Sequence, residues 1–227
     1  KQTHIIAANI DQVFFLVILK QPITHLAFID RFLATAQAYR VPVVLLFNKV
    51  DVFDQTATEA VAAIKAVYEA IGYTSLIISA KNGTGVAEVR QMMQNKVSMF
   101  AGHSGVGKST LANALSPNLE LLTAPISAQH QQGQHTTTFA QMFDLEDNMR
   151  IVDTPGIKGF GVVDMSPEEL GDYFPEIFAL KNNFKFNYCL HTKEPQCAVR
   201  AAVDAGEIAA SRYRSYKQLL EEKTSYR

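Results

Sequence analysis

Two cysteines in 227 residues, Cys189 and Cys197, are too few for a secreted domain stapled by disulfides. No apolar run approaches the roughly 18–20 residues that a membrane span needs. The longest, Val13–Leu19, is of strand length. Neither sign of charge dominates: 21 Lys and Arg face 22 Asp and Glu, a net charge of −1. No global basic field therefore points to a nucleic-acid partner. The first residues, Lys1-Gln2-Thr3-His4, are polar and no apolar h-region follows, so a signal peptide is not expected. Without an initiator Met, the expectation is a fragment of a longer, cytoplasmic protein.

Hydrophobic residues make up 48% of the chain and charged residues 19%, an ordinary balance for a globular protein. The length suits one sizeable domain and a small second one. Gln12–Leu19 and Val41–Asn48 are dense in Val, Phe, Ile and Leu, as strands buried on both faces of a parallel sheet are. Between them Leu26, Ile29, Phe32, Leu33 and Ala36 recur at helical spacing. A second helix is predicted over Thr58–Ile71, closed by Gly72. A strand over Ser75–Ser79, a helix over Val86–Asn95, a strand over Lys96–Ala101 and a helix over Lys108–Leu115 continue the alternation. The prediction is an α/β fold with a mainly parallel sheet. Residues 116–134 read as a long loop. Thr138–Leu145 and Arg150–Asp153 read as a hairpin turning at Asp147-Asn148. The character changes near 164–167, giving domains 1–163 and 164–227, and a last helix is predicted over Val199–Glu222.

The residues Gly102-His103-Ser104-Gly105-Val106-Gly107-Lys108-Ser109 fit the pattern G-x-x-x-x-G-K-[ST] between a strand and a helix. Glycines let backbone N–H groups face phosphate oxygens, and the helix start adds its positive dipole end. Gly102, Ser104, Gly105, Val106, Gly107, Lys108, Ser109 and Thr110 are therefore the phosphate-binding candidates. Lys108 would reach the β- and γ-phosphates and Ser109 would ligate Mg²⁺.

This loop does not choose the base. Asn48-Lys49-Val50-Asp51, at the carboxyl end of a buried strand, does. A carboxylate at Asp51 accepts from the guanine N1–H and exocyclic amine. Adenine offers no such donor pair, so it would leave the carboxylate unpaired. Asn48 would bond base and loop, the Lys49 stem would cover a ring face, and Ser79-Ala80-Lys81 would offer a backbone N–H to guanine O6. Asp153-Thr154-Pro155-Gly156 follows the apolar Ile151-Val152. Asp153 would hold Mg²⁺ through water and the Gly156 N–H would meet the γ-phosphate. Of Thr136, Thr137 and Thr138, Thr137 is the magnesium candidate. Ile157 stands where many GTPases carry a water-positioning Gln, so slow intrinsic hydrolysis is expected. Lys108 and His135 are the catalytic candidates.

The order Asn48–Asp51, Ser79–Lys81, Gly102–Thr110, Thr136–Thr138, Asp153–Gly156 resembles the ribosome small-subunit-dependent GTPase A family (RsgA, also called YjeQ). In it the guanine-reading motifs precede the phosphate loop. His135-Thr136-Thr137-Thr138, Glu194-Pro195-x-Cys197-Ala198-Val199-Arg200 and Arg212-Tyr213-x-Ser215-Tyr216 carry the likeness to the chain's end. The resemblance implies a circularly permuted P-loop GTPase fold with a small, mostly helical, zinc-module-like C-terminal domain. It implies GTP or GDP and Mg²⁺ as ligands and the small ribosomal subunit with its rRNA as partner. It also implies an N-terminal OB-fold domain that this fragment lacks. A monomer without membrane contact is expected. The competing reading is a non-catalytic GDP/GTP-binding module that holds a ribosomal or RNA partner.

The family's zinc ligands follow C-x₄-C-x-H-x₅-C. Cys189, His191 and Cys197 match the last three, but the first is Phe184. Structural zinc is nearly always held by four ligands. Either three residues bind zinc with a borrowed water or carboxylate, or Phe184 replaces the metal by apolar packing. From Phe184 to Arg227 eight Lys and Arg face five Asp and Glu. Arg212, Arg214 and Lys217 interleave with Tyr213 and Tyr216, either as an RNA contact or as a solvated helix face.

Overall fold

Strand β1, Gln12–Val17, is buried at every position because both faces of the sheet it centres are covered. Val13, Phe15 and Val17 enter one apolar layer, while Phe14 and Leu16 enter the other, the alternation that a strand imposes. A computed structural model describes residues 9–20, 23–116, 141–153, 165–186 and 188–224, with Gln141, Asp153, Lys223 and Thr224 described by their backbone. β2 (Val43–Phe47), β3 (Thr74–Ile77), β4 (Val97–Ala101), β5 (Gln141–Asp144) and β6 (Arg150–Asp153) complete one sheet in the order β3-β2-β1-β4-β6-β5. Phe15 pairs with Leu45 on one side and with Ala101 on the other. All pairings are parallel except β5 with β6.

Parallel neighbours need crossovers, and helices supply them. α1 (Leu26–Ala38) and α2 (Gln55–Ala70) cover one face through Ile29, Phe32, Leu33, Val61 and Tyr68. α3 (Val86–Met93) and α4 (Lys108–Leu115) cover the other through Val89, Met93, Leu111 and Leu115. Phe15 stacks at 4.3 Å from Phe32, and replacing such a buried aromatic by Ala costs about 3–5 kcal/mol. α2 starts where Asp54 accepts the Ala57 N–H at 2.8 Å, an N-cap. It ends at Gly72, whose φ is +93°. The hairpin forms as expected, turning through Asp147 and Asn148 at φ 57° and 53°. Asp and Asn tolerate that region better than other side chains.

The C-terminal part comprises α5 (Pro175–Phe178), α6 (Ala198–Asp204) and α7 (Ala210–Thr224). The single helix predicted over Val199–Glu222 is therefore two. Gly206, at φ +77°, breaks it: its N–H bonds Val203 O at 3.0 Å and the Glu207 N–H bonds Ala202 O at 2.9 Å. That pair of bonds is a Schellman C-cap, which glycine favours. Met165, Leu170, Phe174, Ile177, Ile208, Leu219 and Leu220 form a third core, which reaches Ala34 of α1. Among the described residues no helix is long and apolar enough to cross a membrane.

Candidate functional site

Three loops meet at the carboxyl ends of β4, β2 and β3. The one after β4 carries Gly102, Gly105 and Gly107 at φ 140°, 80° and 98°. A Cβ on Gly102 would lie 2.8 Å from Leu16 O, and one on Gly107 would lie 2.4 Å from Asn48 Nδ2. Side chains are thus excluded where the loop backbone is pressed against its neighbours. Val106 is fully buried and anchors the loop in the core. α4 follows with no side-chain cap, and the Leu111 N–H bonds Gly107 O at 2.9 Å. The amides of Lys108, Ser109 and Thr110 therefore precede the helical ladder and head its positive end, a ready anion site. Lys108 Nζ donates to Gly102 O at 2.6 Å and to His103 O at 3.0 Å, so its ammonium lies across the loop. Ser104, Gly105, Ser109 and Thr110 face solvent. A side-chain-free cradle, a cation and the amides of a helix start fit a polyphosphate.

Asn48 joins this cradle to the other two loops. It is 1% exposed. Its Nδ2 donates to Val106 O at 2.8 Å and its Oδ1 accepts the Ala80 N–H at 3.0 Å. One carbonyl and one amide as partners dictate the orientation of the side-chain amide. Lys49 follows in the left-handed region at φ 66°, half-buried, and leads into the short turn that presents Asp51 to solvent. Ser79 is fully buried, and its Oγ donates to Asp51 Oδ1 at 2.6 Å. That bond fixes the carboxylate and leaves Oδ2 to other donors. Lys81 is exposed.

His103 and Thr24 belong to the same construction, though sequence reasoning passed over both. His103 Nδ1 lies 2.9 Å from Ser104 O, and its Nε2 lies 2.7 Å from Thr24 Oγ1. A carbonyl can only accept, so a neutral ring carries its proton on Nδ1 and takes the Thr24 hydroxyl proton at Nε2. Thr24 Oγ1 also accepts the Ile18 N–H at 3.0 Å. The phosphate loop is thereby tied to the end of β1 and the start of α1. His103 occupies a position the motif leaves open, so the pattern held no signal for it.

The remaining candidates are less visible. Asp153 is the last residue of β6, one past the Val152 that pairs with Met99 of β4, and its backbone pairs with Gln141 of β5. Thr136, Thr137, Thr138, His135, Gly156, Ile157 and the predicted loop over 116–134 lie largely or wholly outside the described residues.

Arg212 is not an RNA contact. Its guanidinium is 2% exposed, with Nη1 at 2.6 Å from Asp30 Oδ1 and Nε at 2.7 Å from Glu176 Oε1. Tyr68 donates to Asp30 Oδ1 at 2.8 Å, and the guanidinium carbon lies 4.6 Å from the centre of the Phe174 ring. Burial lifts the Asp30 carboxyl above its usual range although Arg212 opposes the shift. Tyr216 is 1% exposed as well. Only Arg214 and Lys217 of the basic set face solvent.

Cys189, His191 and Cys197 do come together, with their donor atoms all within 4.8 Å of one another. Burial pushes the Cys189 thiol up to about 11 and holds His191 below its usual value. The Phe184 ring packs 4.4 Å from that of His191. Three donors fit a thiophilic metal, and no fourth His, Cys, Asp or Glu joins them among the described residues.

Residues 1–163 match the RsgA GTPase family. The chain is 58% identical over 228 residues to the small ribosomal subunit biogenesis GTPase RsgA of Christiangramia forsetii, covering all of this chain and 72% of that protein. It is 56% identical to the protein of the same name from Flavobacterium johnsoniae, covering 97% of this chain and 68% of that one. Among solved structures, YjeQ from Thermotoga maritima superposes with a TM-score of 0.83 at 36% identity, over 97% of this chain and 73% of that one. YloQ, described as a circularly permuted GTPase, superposes with a TM-score of 0.79 at 32% identity, over 96% of this chain and 70% of that one.

Proposed function

The chain belongs to the RsgA GTPase family, and from that premise we propose that it hydrolyses GTP in the late maturation of the small ribosomal subunit, with the subunit and its rRNA as partner. The observation that carries the proposal is the Asn48 brace, which holds the phosphate loop and the two base-reading loops in one rigid unit. In this reading Asp51, oriented by Ser79, accepts the paired guanine donors. The Lys49 stem covers the base, and the backbone of Ser79-Ala80-Lys81 meets O6. Gly102–Thr110 wraps the phosphates, with Lys108 turning from its own loop carbonyls to the β- and γ-oxygens. Asn48 then works through the loops, since its amide nitrogen and oxygen both hold backbone.

Ser109, with Thr137 and Asp153, would hold Mg²⁺, which when bound neutralises charge developing on the phosphates. The Gly156 N–H would meet the γ-phosphate, and His135 is the candidate for placing the attacking water. Residues 1–163 form the GTPase unit and 164–227 the C-terminal unit, a cytoplasmic arrangement. There Cys189, His191 and Cys197 would take zinc.

GTP turnover by the full-length protein, with and without purified small subunits, tests the role. A rise of at least about tenfold, about 1.4 kcal/mol off the barrier, is expected. An unchanged rate at saturating subunit would count decisively against it.

A further inference from the structure

Two of the three donor separations in the Cys189–His191–Cys197 cluster are those of a metal site, and all three lie within 4.8 Å. Zn–S bonds of about 2.3 Å and Zn–N bonds of about 2.0–2.1 Å at the tetrahedral angle put two sulfurs about 3.8 Å apart and a sulfur and a nitrogen about 3.5 Å apart. Here the two Sγ atoms lie 3.8 Å apart, and His191 Nδ1 lies 3.4 Å from Cys197 Sγ.

Contacts that need no ion hold the loop in this shape. Glu194 accepts the N–H groups of Leu190 at 2.8 Å, Thr192 at 2.8 Å and Lys193 at 3.0 Å. Tyr213 donates to His191 O at 2.6 Å and Tyr216 to Leu190 O at 3.1 Å. Glu194 has both oxygens engaged and is spoken for as a ligand. The remaining position of the resembling pattern, its first, is Phe184, whose ring lies against His191 and offers no lone pair. Cys189 is partly buried and is the most accessible of the three, beside the buried His191 and Cys197.

Four protein ligands make a closed structural site; three make an open one, completed by water or another small ligand. We propose that Cys189 Sγ, His191 Nδ1 and Cys197 Sγ form an open site for one thiophilic divalent cation, with its fourth position held by an exchangeable ligand from solution. Binding expels the two thiol protons to solvent, and no electron is transferred. The site differs from a closed zinc knuckle in two ways: it binds more weakly, and added small ligands reach its metal.

The test uses the whole chain, freed of metal by a chelator and titrated anaerobically with Co²⁺, without nucleotide, so its outcome does not depend on GTP hydrolysis. One equivalent should bind with the visible bands and thiolate charge-transfer absorption of a tetrahedral site. Added imidazole or a small thiol should shift those bands in the wild type and in Phe184→Leu, which keeps the three donors and the apolar volume. Phe184→Cys closes the site and should lose that sensitivity. A fourth thiolate supplying about a quarter of a structural zinc site's binding free energy would raise zinc affinity roughly 100- to 1000-fold. Cys189→Ser should abolish the bands. Failure to take up Co²⁺ would overturn the proposal in favour of a metal-free packed cluster. Bands indifferent to added ligand in both wild type and Phe184→Leu would overturn it in favour of a closed site.

Discussion

Replacing Arg212 by Ala should unfold the molecule more readily, and more so at neutral than at acid pH. The guanidinium has two buried carboxylate partners, Asp30 at 1% and Glu176 at 6% side-chain exposure. Removing one member of a buried ion pair strands the other and costs about 3–5 kcal/mol. In a chain of this size each kcal/mol moves the melting temperature by about 2–4 °C, so a fall of roughly 6–20 °C follows. The pH dependence has a definite sign. Burial already raises Asp30 above its unfolded value of 3.8, with Arg212 opposing, and the variant removes that opposition. Between the unfolded and the raised folded value the native state holds a proton that the unfolded state has released. Stability then falls as pH rises through that window and recovers as pH drops. Denaturant unfolding of wild type and variant at pH 7.5 and 5.5 measures it, and the difference between them should shrink at the lower pH. Arg214→Ala, at an exposed position, should stay within about 0.5 kcal/mol of wild type. A loss below about 1 kcal/mol for Arg212→Ala at neutral pH, or one that grows on acidification, would refute the assignment of Arg212 as a buried structural cation.

Two further changes probe the site. Asn48→Ala orphans the Ala80 N–H and Val106 O, at about 1–3 kcal/mol each. Calorimetry should find lower stability and a GDP affinity weakened about tenfold or more, because the loops it braces are no longer held in register. Gly107→Ala forces a Cβ to within 2.4 Å of Asn48 Nδ2 at a φ of +98°. Fluorescent GDP titration should then find binding weakened at least about 100-fold, in keeping with strain of a few kcal/mol at such positions.

The strand and helix alternation was legible because β1 and β2 are buried on both faces, and such strands read as unbroken apolar runs. The limits of α4 were legible for a different reason: Gly107 and Lys108 belong to a motif that stipulates a helix start. The break at Gly206 was missed although the glycine was in plain view. A single Gly inside a helical pattern is as often tolerated as it is a cap, and only the two bonds closing onto Ala202 and Val203 decide it. Arg212 was misread because its partner Asp30 lies 182 residues earlier in the chain. A local pattern of Arg and Tyr carries no trace of so distant a carboxylate. Asn48 was expected to bond both base and loop; the geometry shows its amide nitrogen and oxygen both holding backbone from separate loops, which the motif alone could not show. Cys189, His191 and Cys197 were recognised through the zinc pattern of the family the chain resembles, and the left-handed turns at His191 and Gln196, φ 58° and 56°, lie within the loop that brings them within reach of one another.

The central claim is that Asp51, oriented by Ser79, reads guanine beside a phosphate cradle. Titration of GDP and ADP against the wild type and Asp51→Asn tests it most directly. The account predicts a strong preference for GDP that falls in the variant by about 10- to 150-fold, as loss of a charged hydrogen-bond acceptor of about 1.5–3 kcal/mol would produce. Equal binding of GDP and ADP by the wild type, or an undiminished preference in Asp51→Asn, would contradict it.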